Sequence, residues 1–202
     1  MGHGLLPHWE PGIAGETAFR RLLRGNAMPL LTALAISIGG LGGLATWIYL
    51  GPLGGMLQIW ATFIAWACFY HCGGKEAGLK TTIVCNIAGA VIAWAALLIF
   101  VNTGGIGGSL PAGLWAGILV GVSVAIMVLV ANMPMFATIP AMVYGYASVA
   151  AYTLLASGAN VMAADFTNPL VTVVVSMVAG AVLGYVSEKI GAALASGRRA
   201  TA

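Results

Sequence analysis

Six long apolar runs, separated by short segments rich in glycine, proline and asparagine, dominate the chain. They cover residues 28–50, 53–70, 81–101, 113–131, 136–155 and 170–191. A helix of about 20 apolar residues crosses roughly 30 Å of bilayer hydrocarbon, and each run has about that length. The pattern therefore predicts an all-α, polytopic membrane protein with six transmembrane helices.

Two terminal segments lie outside this pattern. Residues 1–27 are polar and turn-rich, but Phe19, Leu22 and Leu23 alternate there with arginines, which is typical of a short helix on a membrane surface. A solvated tail is the alternative for this cytoplasmic segment. We expect one membrane domain over residues 28–194 and a cytoplasmic tail over residues 195–202.

Composition supports lipid as the solvent of the helices, because 60% of the residues are hydrophobic and only 6% are charged. A formal charge of +3 raises the question of a nucleic-acid partner. The basic residues, however, stand singly or in small groups at the ends of apolar runs and form no stripe. We therefore expect the lipid bilayer, and no nucleic acid, as a partner.

The basic residues predict the orientation of the chain. They are Arg20, Arg21, Arg24, Lys75, Lys80, Lys189, Arg198 and Arg199. Lysine and arginine concentrate on the cytoplasmic side of membrane proteins. With the N-terminus inside and six crossings, all eight fall on that side. The pattern predicts a multi-pass protein of the bacterial inner membrane with both termini in the cytoplasm.

An internal repeat relates the two halves of the chain. Residues 59–70 align with residues 135–146, which brings Thr62 over Thr138 and Tyr70 over Tyr146. Residues 81–94 align with residues 172–185 and share the sequence AGAV. Because each half, residues 28–101 and 113–191, has three crossings, the halves enter from opposite faces. This predicts an inverted 3+3 repeat, a common plan of transporters.

Glycines recur at four-residue spacing in several runs. The sets are Gly39 and Gly43; Gly113, Gly117 and Gly121; and Gly180 and Gly184. Small residues on one face of a helix let a neighbouring helix approach closely in lipid. We expect each of these faces to be a packing face.

Polar and aromatic side chains inside the runs are the candidates for a solute path. They are Thr62, Trp66, Tyr70, Asn86, Thr138, Pro140, Tyr144 and Tyr146. Interfacial belts, helix kinking and core packing account for the same residues equally simply. The runs hold no charged residue near their centres, so a path would suit a neutral solute. Urea, an amide or ammonia is favoured, in a channel or facilitator that forms a homo-oligomer.

Two other functions remain open. A scaffold subunit that binds another membrane protein through its glycine faces is the first alternative. The second is a soft-metal permease or sensor using Cys68, His71 and Cys72, which share one helical face; a metal is not favoured, because a fourth ligand is missing from this face. Motifs of hydrolases and paired carboxylates are absent, so we expect neither an enzyme nor a cofactor.

The stretch FIAWACFYHCGGKEAGLK at residues 63–80, with residues 86–90 and 180–185, resembles bacterial inner-membrane proteins of the family called domain of unknown function 1097. The resemblance covers residues 28–194. It implies a small polytopic inner-membrane protein and carries no catalytic residues over to this chain.

Overall fold

The computed structural model describes residues 28–196, apart from the side chains of residues 105–107. The surface helix expected before residue 28 and most of the expected tail lie outside the described residues. Within them the chain is helical, with no strand. The helices are α1 (Leu30–Leu50), α2 (Ile59–His71), α3 (Lys75–Gly107), α4 (Ala112–Val130), α5 (Ile139–Leu155) and α6 (Pro169–Ser196). A 3-10 turn, Pro134–Phe136, precedes α5.

Four segments are long and apolar enough to cross a membrane: Leu30–Leu50, Lys75–Gly104, Ala112–Val130 and Pro169–Ser196. Helices α2 and α5 are shorter, at 13 and 17 residues. At 1.5 Å per residue, α2 spans only about 20 Å, less than the hydrocarbon thickness. The structure describes an all-helical, membrane-embedded protein.

The helices of the second and fifth apolar runs begin later than the sequence predicted. We expected helix from residues 53 and 136, and the structure begins α2 at Ile59 and α5 at Ile139. Gly54 and Gly55 have φ of 56° and 78°, a left-handed conformation that cannot continue an α-helix. Before α5, Pro134 opens the separate 3-10 turn. Irregular segments, residues 51–58 and 131–138, therefore precede both short helices.

The centre of the bundle is built from two helix pairs, α3 with α5 and α2 with α6, and α3 also packs on α6. A Cβ on Gly89 of α3 would overlap the carbonyl of Met142, and one on Gly145 of α5 would overlap the carbonyl of Asn86. In the other pair, a Cβ on Gly180 would overlap the carbonyl of Thr62. Glycine lets these backbones touch, which is how helices associate closely in lipid.

The expected packing role of the glycine faces is confirmed in α6 only. Gly180 meets α2, and a Cβ on Gly184 would lie 2.8 Å from the Phe69 ring. For α1 and α4 the expectation was wrong within this chain. Nothing described lies within 4 Å of a Cβ placed on the other five glycines, Gly39, Gly43, Gly113, Gly117 and Gly121. These two outer helices bury other faces, against α6 and α3 respectively.

Candidate functional site

Three buried polar side chains carry an atom without a hydrogen-bond partner among the described residues. The atoms are Thr82 Oγ1, Asn86 Nδ2 and Ser148 Oγ. Thr82 and Asn86 lie one turn apart on α3, and Ser148 lies on α5. Each residue is at most 2% exposed. A buried polar group without a partner costs several kcal/mol in hydrocarbon, on the order of 2 to 7. Such groups need an explanation.

A thiol lies against this part of α3. Cys68 of α2 is fully buried, and its thiol donates toward Asn86 Oδ1 at 3.7 Å. It also lies beside Thr82. On α5, Gly145 packs against the Asn86 backbone and Ser148 follows it by one turn on the same face. We call Cys68, Thr82, Asn86 and Ser148 the central polar group; Cys68 contacts Asn86 and Thr82, and Ser148 is included because it lies one turn beyond Gly145 on α5.

The space beside Asn86 is closed in this structure. A gap lined by Ile83, Asn86, Ile87, Val174, Met177 and Val178 lies between α3 and α6. It has no space for a water molecule. Water therefore cannot satisfy the Asn86 amide from this gap without a movement of α3 or α6.

Thr62, the first predicted path residue, is fully buried at the junction of α1, α2 and α6. Its hydroxyl lies 3.0 Å from the Ser176 carbonyl and 3.3 Å from the Tyr49 hydroxyl. The Ser176 hydroxyl in turn accepts the backbone N–H of Gln58 at 2.9 Å, just before α2 begins. Thr62 thus fastens α2 to α6.

Trp66 and Tyr70 meet at Ser187 of α6. The Trp66 indole N–H donates to Ser187 Oγ at 3.0 Å, and the Tyr70 hydroxyl lies 2.8 Å from the same atom. Ser37 of α1 donates to the Ser187 carbonyl at 3.0 Å. These four residues, the Ser187 cluster, tie α1, α2 and α6 together near the end that carries Glu76 and Lys189.

The tyrosines of α5 contact other helices. Tyr144 places its hydroxyl 3.0 Å from His71 Nδ1 at the end of α2. Tyr146 places its hydroxyl 2.8 Å from Ser123 Oγ on α4. Each aromatic candidate therefore has a partner of its own, and a role of these rings in a solute path stays a prediction.

Thr138 and Pro140 lie at the start of α5. Thr138 is the residue before the helix, and Pro140 falls in its first turn. Pro140 therefore does not interrupt the helix interior, because residues in the first turn donate no hydrogen bond within the helix. Of the eight path candidates, Asn86 is the one in the central polar group. Thr82 and Ser148 were missed, although the four-residue spacing of Thr82 and Asn86 was a usable signal.

The cysteine and histidine face forms no recognisable metal site. Cys68 and Cys72 place their sulfur atoms 3.9 Å apart, while the His71 ring pairs with Tyr144. Within residues 28–196, no group of three or more His, Cys, Asp or Glu side chains is arranged to hold a metal ion. The soft-metal alternative gains no support from this geometry.

Charged residues cluster where α3 begins and α6 ends. Glu76 accepts the Tyr185 hydroxyl at 2.7 Å and pairs with Lys189 at 3.2 Å. Glu188 accepts the backbone N–H of Lys75 at 2.8 Å.

The loop that precedes α6 lies at the other end of this helix. Its turn is held by the Asn168 amide, which donates to the Val161 and Ala163 carbonyls. In that loop, hydrogen bonds from the Thr167 hydroxyl and N–H lower the pKa of Asp165.

The fold and its apolar surface define a helical, membrane-embedded protein. A family model described as "Protein of unknown function (DUF1097)" matches residues 35–192, and the chain belongs to this family. The resemblance noted in the sequence is thereby confirmed. No curated protein and no solved structure matches the chain.

Proposed function

We propose that this protein is an inner-membrane facilitator for a small neutral polar solute, with its path through the central polar group. The observation that carries the proposal is the set of unpartnered atoms on Thr82, Asn86 and Ser148. Lipid-embedded helices satisfy their polar groups internally, so unpartnered ones in the interior favour a polar ligand or water that visits them. The amide and hydroxyls can donate and accept hydrogen bonds but carry no charge.

The proposed topology has six crossings, with both termini in the cytoplasm. Lys75, Lys80 and Lys189 lie at one end of the bundle, where Glu76 links α3 to α6. A cytoplasmic location of that end agrees with the distribution of basic residues in membrane proteins. The short helices α2 and α5 complete their crossings with the irregular segments, residues 51–58 and 131–138.

We also propose an inverted repeat, in a register one turn later than the sequence overlay for α2 and α5. Helix α4 ends 80 residues after α1, at Val130 against Leu50, and α5 begins 80 residues after α2. In this register Met142 corresponds to Thr62, while Gly180 corresponds to Gly89. The packing of Gly89 on Met142 and of Gly180 on Thr62 then forms an equivalent pair.

The repeat suggests how a closed path could open. The paired irregular segments before α2 and α5 are comparable to the broken helices that transporters with inverted repeats place beside the solute site. Since the gap at Asn86 has no room for water, passage requires these short helices to move relative to α3 and α6. Such motion is the gating step of the proposal.

Flux into liposomes tests the proposal. Purified protein in liposomes is expected to accelerate entry of at least one solute among urea, formamide, acetamide and ammonia over protein-free liposomes. Ions and formate form the comparison set, because the path offers no fixed charge. Failure to accelerate any of the neutral solutes would contradict the proposal.

A second candidate function is that of a scaffold that pairs with itself or with another membrane protein through α4. The supporting observation is the open face of Gly113, Gly117 and Gly121. Without its native cysteines, a Gly117→Cys variant is expected to form a disulfide-linked dimer in membranes. Ile126 is exposed on the opposite side of α4 from Gly117, so Ile126→Cys is the control. Equal crosslinking of both variants would argue against this face.

A further inference from the structure

A second, apolar cavity lies farther along α3 than the gap at Asn86. It has a volume of about 220 Å³ and lies between α3, α4 and α5. Its lining is Ala93, Ala96, Leu97, Phe100, Ala116, Leu119, Val120, Tyr146, Ala150 and Leu154. The Tyr146 hydroxyl is hydrogen-bonded to Ser123, so the surface of the cavity is almost entirely apolar.

The junction of α1, α2 and α6, which the proposed repeat makes equivalent to that of α4, α5 and α3, is filled. There the Ser187 cluster joins α1, α2 and α6, and Leu34 would meet a Cβ on Gly191 at 2.7 Å. In the register proposed above, Ala150 corresponds to Tyr70, and Ala96 corresponds to Ser187. Small side chains thus replace the groups that close the first junction, and the second is left hollow.

The shape and surroundings of the cavity identify its occupant. Its lining runs from Ala93 to Phe100 on α3 and from Tyr146 to Leu154 on α5, a length on the order of 10 Å at 1.5 Å per residue. Val120 and Leu154 line it and are 48% and 80% exposed, so the cavity reaches the lipid-facing surface. Hydrocarbon is the medium at that surface. An unfilled space would also deprive its lining of dispersion contacts.

We propose that this cavity binds one acyl chain of a bilayer lipid, which packs between α4 and the rest of the bundle. The acyl chain would take the place that side chains occupy at the junction of α1, α2 and α6. Helix α4 buries only Ser123 and Met127 of its own, so its attachment would depend on the lipid. This site is separate from the proposed solute path and does not require transport to occur.

Native mass spectrometry tests the proposal directly. Protein reconstituted in phosphatidylethanolamine and phosphatidylglycerol vesicles, then extracted into detergent, is expected to retain about one lipid per chain. Ala96→Phe fills the cavity and should lower the retained fraction roughly tenfold, a change of about 1.4 kcal/mol. Ala116→Leu, on α4, is the second filling variant in case Ala96→Phe does not fold.

Ala125→Phe is the control, since Ala125 is exposed on the side of α4 that faces away from the cavity. It should retain lipid as the wild type does. In lipid-free detergent, the filled variants should also melt at a higher temperature than the wild type. Added lipid should raise their melting temperature by less. Three results would each overturn the proposal. The first is equal lipid retention by all variants, and the second is no retained lipid in the wild type. The third is a lipid-free dimer that dissociates in the filling variants.

Discussion

Backbone contact at single glycines sets the distances between the central helices. At Gly89, Gly145 and Gly180, a carbonyl of the neighbouring helix occupies the space where a side chain would begin. Lipid gives no hydrophobic drive for helix association, so close packing has to supply it. A methyl group at any of these positions must push two backbones apart.

Gly89→Ala is therefore expected to destabilise the bundle by at least about 2 kcal/mol, because the Met142 carbonyl cannot move independently of α5. Gly117→Ala is the matched control on α4, where nothing lies within 4 Å of the new methyl group. Alanine favours a helix over glycine by about 1 kcal/mol, so the control should be neutral or slightly stabilised. Unfolding in mixed detergent micelles measures both. Equal stability of the two variants would contradict the packing described.

At the scale of the helix, the start of α3 depends on a side chain from another helix. Gly73, Gly74 and Lys75 have φ of 87°, 67° and 57°, which turns the chain sharply between α2 and α3. The Glu188 carboxylate accepts the Lys75 N–H, one of the amides that a helix leaves without an internal partner. It joins α3 to α6 at the end that we assign to the cytoplasm.

Glu188→Ala is expected to lower the melting temperature, by an amount equivalent to about 1 kcal/mol for a lost helix cap. Glu188→Gln keeps an acceptor oxygen and should lose less. Glu76→Ala is the control for charge, because the exposed Glu76–Lys189 pair should contribute little to stability. If Glu76→Ala were the more damaging substitution, the capping role of Glu188 would be wrong.

The sequence predicted helices better than it predicted their ends and faces. Apolar length alone placed all six helices, but the start of α2 depends on the turn at Gly54 and Gly55, and a run of apolar residues does not reveal it. Glycine spacing identified Gly180 correctly and Gly117 incorrectly. Both lie in similar local sequence, and only the three-dimensional arrangement decides which helix face meets another.

At the scale of the whole molecule, two helix junctions differ in how fully they are packed. The junction of α1, α2 and α6 is closed by the Ser187 cluster, whereas the junction of α3, α4 and α5 leaves the apolar cavity beside Ala96 and Ala150. The gap at Asn86 has no room for a water molecule. The sequence identified Asn86 as a path candidate, because it places an amide inside an apolar run. It did not identify Thr82 and Ser148, because isolated hydroxyls are common in membrane helices and only burial without partners distinguishes these two.

Permeation through an Asn86→Leu variant tests the solute path most directly. Asn102→Leu makes the same change at the exposed end of α3, where the amide bonds only its own helix at Leu98. For the solute that the wild type conducts, stopped-flow measurements on liposomes should show at least about a tenfold loss for Asn86→Leu, equivalent to 1.4 kcal/mol. Asn102→Leu should match the wild type. Unchanged flux through Asn86→Leu would contradict the assignment of the path to the central polar group.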